Sequence, residues 1–76
     1  MRKMNAIDFA ERFVESERFD TYVQESFHTR EFDSDAALSM MLDYADEKGI
    51  NIVNLDLFDS TNFFWEVQES MEKGLS

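Results

Sequence analysis

The chain has 76 residues, no Cys, one His and a formal net charge of -10, from seventeen Asp and Glu against seven Lys and Arg. It is therefore one domain at most, with no disulfide, thiolate metal site or multi-His site. The charge sets it against direct binding to nucleic acid, whose ligands present a basic footprint, and against an anionic membrane. It favours basic protein partners, attracted over long range and in a salt-sensitive way.

A domain of this size buries only about 60% of its unfolded surface and needs help to stay folded. With disulfides and multi-His metal sites excluded, oligomerisation is the remaining prop, so a homodimer is one expected state. The opening "MRKMNAIDF" has two basic residues but no long apolar run before Asp8 and Glu11. A cleaved signal peptide is not expected from that pattern. No run approaches the ~20 apolar residues of a membrane span, and the expected location is the cytoplasm.

The first helix is expected over residues 5–17. Asn5 is a good N-cap and Asp8 suits the positive end of the helix dipole. Ala6, Ile7, Phe9, Ala10, Phe13 and Val14 share one half of the helical wheel, opposite Asp8, Glu11, Arg12 and Glu15. A second helical set follows in Phe19, Tyr22, Val23 and Phe27, either continuing the first helix or starting anew at residues 18–20 after the polar "ESER". "HTREFD" is expected to be a connector.

The third helix has the clearest end signals. Asp33 or Ser34 can cap it, Asp35 sits in its first turn, and Lys48 and Gly49 close it. Ala37, Leu38, Met41, Leu42 and Ala45 form its main face, widened by Met40 and Tyr44, which marks it as the central helix. "INIVNLDLF" is ambiguous. Ile50, Ile52 and Val53 favour strand, yet nothing in the chain is evident for a strand to pair with except a second copy. The expectation is an extended, mostly buried connector over residues 50–58 that ends in a turn at "DST". The last helix spans residues 61–73, capped by Ser60, Thr61 or Asn62. Phe63, Phe64, Val67 and Met71 share a narrow face, while Trp65 lies about 100° or more from each of them, among Glu66, Gln68, Glu69 and Glu72. The predicted fold class is all-α: a compact bundle of three to four short helices in a single small acidic domain, residues 1–76.

Motifs for chemistry are sparse. His28 lies near Glu25 and Glu31, but no nucleophile on a special turn accompanies it, and it is expected at the surface. "DSDAALSMMLDY" fails the calcium-loop spacing, which needs glycine at position six and glutamate at twelve. No catalytic, cofactor-binding or metal-ligating residue is assigned, and an enzyme is not expected. The Asp59-Ser60 pair in "FDSTNFF" resembles the Asp-Ser that carries the prosthetic group in acyl carrier proteins, which are also small, acidic and helical. In that family a long helical segment follows the serine, whereas here sixteen residues remain and no Leu follows Ser60. A helix cap is the plainer reading.

"NLDLF", residues 54–58, resembles the pentapeptide by which bacterial replication and repair proteins hold the sliding clamp, a Gln followed by Leu-(Ser or Asp)-Leu-Phe. Leu55, Asp56, Leu57 and Phe58 match, and Asn54 stands where Gln is expected. The resemblance implies an extended segment whose Leu and Phe fill an apolar pocket. The competing reading places Leu55, Leu57 and Phe58 in the core, which the shortage of core in so short a chain favours.

Carboxylates spread along helices can imitate the phosphates of a duplex. The expected function is a small acidic protein-binding regulator or inhibitor, of the kind phages make against host or defence proteins. It would act as a DNA mimic on a basic, nucleic-acid-binding protein surface. The partner-binding residues expected are Asp8, Glu11, Glu15 and Glu17 on the first helix and Glu66, Glu69 and Glu72 on the last, with Trp65 as anchor. The alternative is a clamp-binding adaptor that uses "NLDLF".

Overall fold

A computed structural model describes residues 2–75. The chain is mostly helical, with a strand β1 (Arg2–Asn5), helices α1 (Ala6–Phe13), α2 (Glu17–Thr29) and α3 (Ser34–Glu47), a strand β2 (Ile50–Val53), a single 3-10 turn (Leu55–Leu57) and helix α4 (Ser60–Leu75). The expectation of a purely helical fold is corrected by the two strands. They pair in parallel, Arg2 with Ile50 through Asn5 with Val53. The strand that lacked a visible partner finds it in the first residues of the same chain, and helices α1 to α3 make the long crossover that a parallel pair requires. Met4, Ile50 and Ile52 pack from the sheet against the core.

Helix boundaries follow local chemistry. The Asn5 side chain accepts a hydrogen bond from the Ile7 N–H at 2.9 Å, which opens α1 at the expected cap. The helix ends at Phe13 rather than at residue 17 because Ser16 interrupts it. Ser16 is extended, its Oγ donates to the Phe13 carbonyl, and the same oxygen accepts from the Phe19 N–H at 3.3 Å. One hydroxyl thus closes α1 and caps α2. Asp33 caps α3 by accepting from the Asp35 N–H at 2.9 Å. Gly49 follows the C-cap Lys48 with φ of +69°, the left-handed geometry that glycine adopts at no steric cost. Helix α4 opens at Ser60, and the cap is Asp59, not the three residues after it: its Oδ1 accepts from the Asn62 N–H at 3.2 Å.

Aromatic rings from all four helices meet in the core. Phe13 of α1 lies 5.3 Å from Phe19 of α2 and 6.2 Å from Phe64 of α4, and Phe19 lies 5.8 Å from Phe64. Tyr44 of α3 adds contacts at 5.9 Å to Phe9 and 5.7 Å to Phe13. Edge and tilted geometries dominate, as the ring quadrupole favours. Ala10, Ala37 and Ala45 belong to the same buried cluster, and α3 packs on α1, α2, α4 and β2 as the central helix. Two apolar residues expected on core faces are exposed instead, Ile7 on α1 and Leu42 on α3. Arg18 ties α2 to α3. It pairs with Glu47 and lies over the Tyr44 ring, which Lys48 also covers.

Candidate protein-binding surfaces

Every one of the seventeen carboxylates is exposed. Asp8, Glu11 and Glu15 recur at helical spacing and line one shallow groove of about 330 Å³ with Met4 and Arg12. Glu17 does not join them. It lies past the Ser16 break, in the first turn of α2, and lines a different groove with Arg18, Tyr22 and Met40. Helix one therefore carries two of the four acids assigned to it, with Glu15 in the turn that follows. Glu66, Glu69 and Glu72 are exposed on α4 as expected. Among the titratable groups, the Arg18–Glu47 pair perturbs both partners. The hydrogen bond from Arg18 holds the Glu47 carboxyl below its ordinary value, and the same bond raises Arg18.

Trp65 is 41% exposed, and the residues around it are assembled from three segments. Tyr22 Oη of α2 donates to the Asp33 carbonyl at 3.0 Å and accepts from the Asp33 N–H at 3.1 Å. These two hydrogen bonds to the backbone hold the end of the short link over residues 30–33. Arg30 begins the link in the left-handed region, φ 62°, with its N–H donating to the Ser26 carbonyl. Phe32 is thereby held 5.7 Å from Tyr22 and 4.9 Å from Trp65, edge to face with the indole. Trp65 is both partly exposed and packed on a neighbouring segment.

Trp65 and Phe32, with Phe27, give aromatic walls to a groove of about 610 Å³. Ser26 and Gln68 are its buried polar residues. The Ser26 hydroxyl is engaged, donating to the Val23 carbonyl at 2.7 Å. Gln68 Nε2 donates to Glu72 Oε2 at 3.4 Å. Arg30 and Glu72 complete the lining. Sequence reasoning reached Trp65 and Glu72 but not Phe27, Phe32, Arg30 or the burial of Gln68. An aromatic residue inside the polar connector "HTREFD" was the available signal for Phe32.

The "NLDLF" segment is neither extended nor mostly buried. Asn54 is left-handed at φ 58°, Leu55–Leu57 form the 3-10 turn, and Leu57 is 75% exposed. Leu55 is exposed as well. Phe58 alone turns inward, 5.4 Å from Phe63 and 6.1 Å from Phe64. Ser60 is half-buried in the first turn of α4. His28 is exposed. Among the described residues, no helix is long and apolar enough to cross a membrane.

These features describe a small helical chain with one parallel strand pair and a wholly surface-borne set of acids. No family model, curated protein or solved structure matches it.

Proposed function

We propose that this chain is a non-enzymatic, acidic protein-binding regulator that occupies a basic, nucleic-acid-binding surface of a partner protein as a DNA mimic. The observation that carries the reading is the exposure of all seventeen carboxylates on one packed frame. The long axis of the molecule is 40 Å; a duplex of that length bears about 24 phosphates. Seventeen acids on the same span approach that density, although seven cations offset part of it. Carboxylates held on helices meet a partner's Lys and Arg without the ordering cost that a disordered acidic tail would incur. Such a partner is recovered by affinity capture on the immobilised chain at low salt. Its affinity is expected to fall steeply and linearly on a log–log plot against salt. A partner bound equally well at low and high salt would sink the reading.

A second reading, a clamp-binding adaptor using Asn54, Leu55, Asp56, Leu57 and Phe58, is favoured by the exposure of Leu57. It requires the 3-10 turn to unwind and Phe58 to leave Phe63 and Phe64. Loss of clamp binding by Leu57→Ala, with helicity intact, would support it.

A further inference from the structure

We infer that the groove walled by Phe27, Phe32 and Trp65 is a receptor for a single arginine side chain of the partner, with the guanidinium stacked on Trp65 and hydrogen-bonded to Glu72 and Gln68. This rests on the mimic reading, which supplies a partner rich in basic side chains. Three features of the groove select the guest. Phe32 packs edge to face with the indole at 4.9 Å and braces Trp65 while 41% of it stays open. An accessible indole is the best aromatic platform for a cation.

The second feature is helical spacing. Trp65, Gln68, Glu69 and Glu72 stand at i, i+3, i+4 and i+7 and so form one stripe of α4. Carboxylates follow the indole one and two turns on, in the C-terminal half of the helix, where the macrodipole also favours a cation. The third is Gln68. It is only 8% exposed, it lines the groove, and its Nε2 donates to Glu72, which ties the amide to the carboxylate. The acceptor set is therefore a carboxylate and an amide oxygen beside an aromatic face. A planar fork of five donors uses all three elements together, whereas an ammonium group cannot stack and donate in the same plane. Arg30 lines the groove too but stacks on no ring among the described residues. Its charge disfavours a cation on the α2 side and confines the guest to the α4 wall.

Trp65 is the only tryptophan in the chain, so its emission reports the groove directly. The full chain is titrated with a labelled Gly-Arg repeat peptide, its Gly-Lys counterpart and a Gly-Glu control, reading Trp65 fluorescence and peptide anisotropy together. The arginine peptide is expected to shift Trp65 emission saturably and to bind more tightly than the lysine peptide. Glu72→Gln is expected to weaken it about tenfold, the scale of one charged hydrogen bond. Asp46→Asn, an equal loss of charge on α3, should change binding less than about twofold, the scale of one exposed charge. Arginine-peptide binding that leaves Trp65 emission unchanged, or that Glu72→Gln does not weaken more than Asp46→Asn does, overturns the inference and leaves the mimic reading standing. Equal binding of lysine and arginine peptides also overturns it. Failure of both basic peptides to bind at low salt removes the mimic reading and this inference with it.

Discussion

Phe64 and Trp65 are neighbours in sequence with opposite roles, and Phe64→Ala tests that assignment. Phe64 is fully buried, and its ring meets Phe13, Phe19, Phe58 and Phe63 at centroid distances of 6.2, 5.8, 6.1 and 5.4 Å. These partners belong to α1, α2, the segment before α4 and α4 itself, so the cavity left by Ala cannot be filled by moving one side chain. Truncation of such a phenylalanine costs about 3–5 kcal/mol. A chain of 76 residues has a total stability of about 4–11 kcal/mol. The variant is therefore expected to lose roughly a quarter or more of its stability and to melt roughly 12–40 °C lower, at roughly 4–8 °C per kcal/mol for a domain of this size. Thermal melting followed by far-ultraviolet circular dichroism measures this, with Trp65→Ala run beside it. Trp65→Ala loses the Phe32 contact and part of its burial, so its Tm should fall less. A Phe64→Ala variant that melts within about 5 °C of the wild type, or below which Trp65→Ala melts, would refute the core assignment.

Leu57→Ala should cost less than about 0.5 kcal/mol because the side chain is largely in water, whereas Phe58→Ala should cost about 1–2 kcal/mol through Phe63 and Phe64. Urea titration separates them, and equal costs would mean that the two residues share one environment. Gly49→Ala meets open space, so only its φ of +69° opposes it. The expected loss is about 1–2 kcal/mol, and a neutral result would show that α3 does not end in a left-handed residue. Glu47 is held below its ordinary value by the hydrogen bond from Arg18, so its contribution to stability is present at neutral pH and is lost as pH falls through that depressed value. The Tm difference between wild type and Glu47→Gln should accordingly close in acid, and a difference that widens there would refute the pairing.

The helices were legible because their signals are local. Asn5, Asp33, Lys48 and Gly49 mark ends through backbone chemistry that extends over only a few residues, and Phe9, Phe13 and Phe64 sit on apolar faces that a helical wheel reveals. The strand pair was not legible. β2 has the β-branched residues of a strand, but its partner "RKMN" has none, and the pairing spans almost fifty residues of sequence. Nor could one stripe of residues predict the Tyr22–Asp33 clamp that brings Phe32 to Trp65. The same limit explains Leu57. Alternation in "NLDLF" suggested an extended buried segment, whereas a left-handed Asn54 starts a turn that points Leu57 outward. For the candidate surface, the acids were evident from composition. Their division by the Ser16 break, which takes Glu17 away from Asp8, Glu11 and Glu15, depended on one hydroxyl bridging two helices.

Competition with DNA distinguishes a duplex mimic from any other acidic binder. Proteins captured from a bacterial lysate on the immobilised chain are challenged at constant ionic strength with a duplex of about 12 base pairs, the length of the molecule's 40 Å axis. If the acidic surface stands in for a duplex, the bound protein leaves the column with the DNA and holds it in solution. A partner that stays on the column through the duplex, and has no affinity for it, would show that the carboxylates do not stand in for phosphates.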